Sequence, residues 1–239
     1  MDDAQRARSE RVVLVHGWGG SFATTWEQSG FSLLRDEGGR TPVGVDLLGH
    51  GEAPKPHDPA AYADLTERVL DAVGDGPVSA VGFSLGALTL LRAAIAHPER
   101  FDAIVLAGIG RNVFDRDHAD ATAIADGLQA VLDGADPSTL EQTQRLFVNY
   151  AQRPGHDLEA LLAVMRRPPG AEITVERCAT VTCPVLVVIG ADDFAAPAAE
   201  LAAAFPDGRC VTLPGVDHFA TPAAFGFFAA ALAFLGAAG

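Results

Sequence analysis

A serine hydroxyl becomes a useful nucleophile only when a base takes its proton, and an imidazole serves as that base only when a carboxylate orients it. The chain contains residues of all three types at suggestive places. Ser84 lies in Gly82-Phe83-Ser84-Leu85-Gly86, a Gly-x-Ser-x-Gly pentapeptide that ends one apolar run and opens a helical one. Such a turn lifts the serine above the end of a strand, where strand and helix backbones leave no room for flanking side chains. It also sets Ser84 at a helix N-terminus, where unpaired N–H groups favour negative charge. Of seven histidines, His218 is the candidate base, because Pro214-Gly215-Val216-Asp217-His218-Phe219 follows the last expected strand. His97 ends a helix, and His57, His118 and His156 fall in polar stretches that suit solvated roles. The carboxylate has two adjacent candidates, Asp192 and Asp193, in Gly190-Ala191-Asp192-Asp193-Phe194-Ala195-Ala196-Pro197. Composition does not choose between them.

A fourth element is Val15-His16-Gly17-Trp18-Gly19-Gly20-Ser21. Its glycines let a backbone N–H turn toward the serine, so the N–H groups of Trp18 and Leu85 are expected to form an oxyanion hole. The loop meets neither the Gly-x-Gly-x-x-Gly nor the Gly-x-x-x-x-Gly-Lys phosphate pattern.

These residues need a scaffold that brings four distant segments together. Short β-branched runs alternate with helical stretches, the pattern of a parallel sheet covered on both faces. Strands are expected at Val12–Val15, Pro42–Asp46, Val78–Phe83, Ala103–Ala107, Val185–Ile189 and Arg209–Leu213. Helices are expected at Trp26–Asp36, Ala60–Val73, Leu85–Ala96, Ala198–Ala204 and Ala223–Leu235. The alternation breaks once. Roughly seventy residues between Gly110 and Val181 hold no strand signal, but apolar residues recur there at helical spacing: Leu128, Val131 and Leu132, then Leu158, Leu161, Leu162 and Met165. This predicts a core of residues 1–110 and 181–239 and a cap of two to four helices over 111–180. The cap's Leu128, Leu132, Phe147, Tyr150, Leu161 and Met165 suggest an apolar pocket, with Phe83 and Phe219 as further wall positions and Arg111 as a cation for a substrate carboxylate.

Composition narrows the classes. The 239 residues carry 31 acidic and 17 basic side chains, a formal charge of −14, and Lys55 is the one lysine, so phosphate-tracking and Schiff-base chemistry are disfavoured. Nucleic acid is therefore not an expected partner. Met1–Glu10 has no apolar leader, and Cys178, Cys183 and Cys210 fit reduced, buried thiols of a cytoplasmic protein. The uncharged stretch Phe219–Gly239 reads as a buried C-terminal helix, without membrane insertion, because alanine and glycine dominate it and no cationic flank follows.

With these elements in this order, the chain resembles the α/β-hydrolase superfamily, in its cap-bearing esterase and lactonase branch. His16-Gly17-Trp18-Gly19 is similar to the family's oxyanion loop, a tetrapeptide shared with the pimeloyl-carrier-protein methyl ester esterases. Asp46-Leu47-Leu48-Gly49-His50-Gly51 is similar to the turn after its fourth strand, where His50 is structural. The family's acid motif, Gly-x-x-Asp-x-x-x-Pro, selects Asp193, and Gly215-x-x-His218 matches its histidine motif. The resemblance implies an α/β three-layer sandwich and the order Ser84, Asp193, His218. It also implies a serine hydrolase that cleaves small to medium carboxylic esters, with no metal or organic cofactor. The same triad serves lactonases, thioesterases, C–C bond hydrolases, perhydrolases and lyases, and a hydrolase-fold receptor with little turnover is a further alternative. Ser84 in place of an aspartate argues against dehalogenase and epoxide hydrolase chemistry. Only eleven residues precede the first expected strand, where the family usually begins with an extra hairpin, so a trimmed sheet of about six mostly parallel strands is expected. Oligomeric state is not legible.

Overall fold

The structure, a computed structural model, describes residues 10–29, 39–114 and 119–236. Six strands form one sheet: β1 (Arg11–Val15), β2 (Thr41–Val45), β3 (Val78–Phe83), β4 (Phe101–Ala107), β5 (Val185–Gly190) and β6 (Gly208–Leu213). Their order is β2-β1-β3-β4-β5-β6, and every pair is parallel. The parallel sheet of six strands expected from the β-branched runs is thus present among the described residues.

Side chains alternate across the sheet because successive residues of a strand face opposite sides. Val13, Val15, Ala80, Leu106 and Val187 face one apolar layer. Val12, Leu14, Val81, Val105 and Val188 face the other, which Trp26, Phe227 and Phe234 close. The first layer includes α1 (Thr66–Val73) and α2 (Leu85–Ala96), and the second is formed largely by α8 (Phe225–Leu235). Burial on both faces explains why β5 is apolar throughout and β3 nearly so: every one of their residues is buried, and the one polar side chain, Ser79, donates its hydroxyl to Asp102 at 2.6 Å. A fully buried Val, Leu or Phe stabilises by about 1.5–3 kcal/mol, so each central strand is a large stabilising element.

Four α-helices lie between β4 and β5 among the described residues: α3 (Ala119–Leu132), α4 (Gln142–Ala151), α5 (Leu158–Met165) and α6 (Val175–Cys178). α3 packs against both α4 and α5. α7 (Ala199–Ala203) follows β5.

Three expectations need correcting. The helix expected over Ala60–Val73 divides into a 3₁₀ turn, Pro59–Tyr62, and α1, because the Asp58 carboxylate accepts from the Ala60 N–H and Asp64 from the Thr66 N–H, which starts two separate turns. The helix expected over Trp26–Asp36 falls mostly on residues outside those described; a π-helical turn, Ala23–Glu27, carries the buried Trp26. Cys178 and Cys183 are buried but Cys210 is exposed, since β6 is an edge strand with one neighbour. No helix among the described residues is long and apolar enough to cross a membrane. The last helix instead buries Phe227, Phe228, Ala231, Phe234 and Leu235 against the sheet.

Candidate active site

The turn after β3 is built by close approach. A Cβ on Gly82 would lie 2.7 Å from the Ala87 Cα, and one on Gly86 would lie 2.3 Å from the His16 carbonyl oxygen and 2.4 Å from that of Val15. No residue but glycine fits without moving a backbone. Between them Ser84 takes φ +51°, the one positive φ of a non-glycine residue among those described, a conformation that costs on the order of 1–3 kcal/mol. Two backbone hydrogen bonds hold it: the Ser84 N–H donates to Ala107 O at 2.8 Å, and Ser84 O accepts from the Leu88 N–H at 3.0 Å.

The loops after β5 and β6 are fastened to each other. The Ala191 N–H donates to Leu213 O at 2.8 Å and the Asp192 N–H to Val216 O at 3.1 Å, while a Cβ on Gly190 would lie 2.0 Å from Val216 O. This contact brings Asp193 to His218. Imidazole Nδ1 lies 2.9 Å from Oδ2 and 3.0 Å from Oδ1 of Asp193, and Nε2 lies 3.0 Å from Ser84 Oγ. A carboxylate accepts, so Nδ1 carries the proton and donates; in a neutral ring Nε2 is then left with a lone pair facing the hydroxyl. Asp193 and His218 are buried, and Asp193 Oδ1 also accepts from the Ala195 N–H at 2.8 Å. Asp192, which composition left equal to Asp193, is exposed, whereas Asp193 is buried against His218.

The glycine loop after β1 sits against the same turn. A Cβ on Gly17 would lie 2.8 Å from the Phe83 ring and 3.3 Å from Ser84 Cβ. Among the described residues, the N–H groups of Trp18 and Leu85 have no protein acceptor, and that of Leu85 opens a helix, where no intrahelical acceptor exists. His16 braces the loop from below: its Nδ1–H donates to Gly17 O at 2.7 Å and its Nε2 accepts from the Leu47 N–H at 3.1 Å. Burial lowers its pKa, so it stays neutral. His50, 5.1 Å away ring to ring, is pushed down to about 3 by burial, with His16 adding to the effect, and its Nδ1–H donates to Leu48 O at 2.9 Å.

Aromatic rings rim the site. Phe194 lies 4.3 Å from the His218 ring, Phe83 5.0 Å and Phe219 5.6 Å. Phe147 and Tyr150 of α4 lie 5.6 and 5.7 Å from Phe219, and Phe147 lies 5.7 Å from Trp18. The Trp18 indole N–H donates to Leu161 O of α5 at 3.1 Å, joining the glycine loop to the helical segment. Phe194, 54% exposed, was missed by the sequence reading; its position beside Asp193 was the available signal. Leu128 and Leu161 belong instead to the packed core, because helical spacing marks an apolar face without saying what it faces. Arg111 is exposed, and its backbone N–H donates to Ala195 O and Pro197 O at 3.1 and 2.9 Å, bracing the acid loop. Of the other histidines, His57 is exposed and paired with Asp157 and Glu159 at 3.0 and 2.7 Å, and the Asp157 hydrogen bond raises its pKa. His118 lies outside the described residues.

A serine on a strained strand-to-helix turn, facing an imidazole that a buried carboxylate orients, at the carboxyl ends of a parallel sheet, defines the hydrolase class of α/β folds. Sequence comparison agrees. The profile of the alpha/beta hydrolase family matches residues 12–231, and the chain belongs to that family. It is 31% identical over 155 residues to Esterase Rv0045c of Mycobacterium tuberculosis, covering 63% of this chain and 49% of the relative. It is 32% identical over 127 residues to the pimeloyl-[acyl-carrier protein] methyl ester esterase of Neisseria meningitidis, covering 48% and 42%. The matched segments thus span under half the length of these curated relatives. A carboxylesterase structure from Nitrososphaera gargenis superposes with a TM-score of 0.71 at 19% identity, over 96% of this chain and 91% of that one, a likeness of fold.

Proposed function

We propose that this protein hydrolyses carboxylic esters through an acyl-enzyme on Ser84. The observation that carries the reading is the unbroken relay from the Asp193 carboxylate through the His218 ring to Ser84 Oγ, with contacts of 2.9 and 3.0 Å. Ser84 Oγ attacks the ester carbonyl as His218 Nε2 takes its proton. Asp193 keeps the ring in the right tautomer and stabilises the imidazolium. The N–H groups of Trp18 and Leu85 hold the developing oxyanion, a contribution for which loss of one donor costs about 10²–10³ in rate. The imidazolium protonates the leaving alcohol. Water then gives its proton to Nε2 and attacks the acyl group; the proton returns to Ser84 Oγ as the carboxylic acid leaves.

Residues 111–180 act as a cap in this reading, contributing Phe147 and Tyr150 to an apolar rim completed by Phe83, Phe194 and Phe219. Such a rim suits an ester of small to medium size with an apolar acyl group. The two esterase relatives support ester chemistry, and the reduced cysteines suit a cytoplasmic location. No substrate role is assigned to Arg111.

The test is a turnover screen of wild type and Ser84→Ala against p-nitrophenyl esters of rising acyl length, with lactones, acyl thioesters and a C–C hydrolase substrate alongside. Ester turnover lost in the variant is the expected result. A fluorophosphonate probe should label wild type only. Turnover of a lactone or C–C substrate with every ester refused would replace ester hydrolysis, and labelling without turnover of any compound would replace catalysis by ligand reception.

A further inference from the structure

Away from Ser84, a cleft of about 250 Å³ lies between the start of α1, the outer face of α2 and the chain around α6. Tyr62, Thr66, Thr89, Arg92, Arg167 and Arg177 line it, together with one carboxylate, Asp64. None of the residues around Ser84 does. In a chain with 17 basic residues against 31 acidic, three arginines from three separate elements converge on one concavity.

None of the three takes part in an ion pair with another described residue. Each is instead fixed by a backbone carbonyl. Arg92 Nε donates to Ala171 O at 3.4 Å, Arg167 Nη1 to Val164 O at 2.7 Å, and Arg177 Nη1 to Glu172 O. The Gly170 backbone closes over the Arg92 guanidinium, where a Cβ would lie 3.0 Å from Nε. The three heads are therefore held in place while most of their N–H groups remain available. They also repel one another: burial and then Arg177 lower the pKa of Arg92, and burial and then Arg92 bring Arg167 down to about 10. Like charges gathered in a partly desolvated cleft are unfavourable unless an anion offsets them.

We infer that this cleft is an anion site, and that its ligand carries a phosphate group. Three guanidiniums against Asp64 leave a net charge of +2 along the lining, which matches a phosphate dianion. Three forks arriving from three directions suit a tetrahedral group with three acceptor oxygens better than a planar carboxylate, which one fork saturates. The cleft is larger than a phosphate, so an organic remainder fits beside Thr66 and Ala171, which line it and are not buried. The site is independent of the esterase reading, and its test needs no turnover.

The experiment is calorimetric titration and thermal unfolding of the full chain with inorganic phosphate and with glycerol 3-phosphate, against sodium chloride at matched ionic strength and against malonate. A saturable heat and a raised Tm are expected with a phosphate compound and not with chloride, and the tighter of the two ligands tells free phosphate from a phosphate monoester. Arg92→Gln and Arg167→Gln should each weaken binding at least tenfold, with Arg177→Gln as the alternative if either fails to fold, and Arg145→Gln, outside the cleft, should bind as wild type does. Absence of saturable binding by wild type, unchanged affinity in the cleft variants, or malonate binding as tightly as phosphate would overturn the assignment.

Discussion

His16 and His218 present the same tautomer, proton on Nδ1 and lone pair on Nε2, and differ in what stands at each nitrogen. At His16 both partners are backbone: the Nδ1–H donates to Gly17 O, and the lone pair accepts from the Leu47 N–H. A peptide N–H does not surrender its proton, so that lone pair is permanently occupied and the ring serves as a strut. At His218 both partners are side chains, a carboxylate at 2.9 Å and a hydroxyl at 3.0 Å. The hydroxyl can lose its proton, and the carboxylate can stabilise the cation that results. One ring type thus supports a loop or, in the proposed reaction, moves a proton according to its two neighbours alone.

The widest separation between the two rings is expected in rate. Ser84→Ala and His218→Ala should each lower kcat/KM on the best ester by on the order of 10⁴ or more while leaving Tm little changed, measured by initial rates beside thermal unfolding. Asp193→Asn should lower the rate about 10²–10⁴-fold, because an amide can present an N–H to Nδ1 and reverse the tautomer. A variant within tenfold of wild type would mean that Asp193 does not orient the ring.

His16→Phe should act in the opposite sense. It strands the buried Leu47 N–H, so stability falls by about 1–3 kcal/mol, read from urea unfolding, with a smaller loss of rate than at His218. The struts also carry a pH signature. His16 and His50 are held neutral in the folded chain, His50 down to about 3, whereas an unfolded imidazole takes a proton near 6.5. Between those values the unfolded state binds more protons at position 50, so stability falls as pH drops from about 6.5 toward 3, by up to ~1.4 kcal/mol per pH unit for His50, and His16 acts in the same direction. His50→Phe should flatten that slope by up to one proton's worth; an unchanged slope would show that His50 titrates normally. The smallest effect is expected at Trp18→Phe, which keeps the ring but removes the N–H to Leu161 O. A loss of about 1 kcal/mol in stability and a few-fold rise in KM with kcat less affected would mark the indole as a tie between the glycine loop and α5.

The sheet was legible because a strand buried on both faces is apolar almost throughout, and such runs between helical stretches have few other readings; β5 was expected at Val185–Ile189 and found at Val185–Gly190. The turn around Ser84 was legible for a similar reason, since close backbone contact leaves only glycine at positions 82 and 86. What the residues alone left open depends on tertiary placement. The choice between Asp192 and Asp193 needed the family motif, because it depends on how the loops after β5 and β6 fasten together. Leu128 and Tyr150 were both expected at an apolar pocket, yet Leu128 packs into the core while Tyr150 reaches across so closely that a Cβ on Gly19 would lie 2.6 Å from its ring. Phe194 carried no periodic signal at all, being exposed on a loop. The arginines of the cleft, at 92, 167 and 177, are too far apart in sequence to register as a basic cluster.

The sheet order has a consequence for how the protein is made. The serine turn sits near the middle of the sheet and is complete once β1, β3 and β4 have paired, but its imidazole arrives on the loop after β6, at the far edge and 134 residues later. In the proposed reaction the nucleophile is therefore assembled during synthesis long before its base, and a partly made chain holds Ser84 without the means to ionise it. Long-range pairing of this kind forms late in folding. Reactivity should accordingly appear as the last event, when β6 docks, rather than growing gradually as the sheet forms.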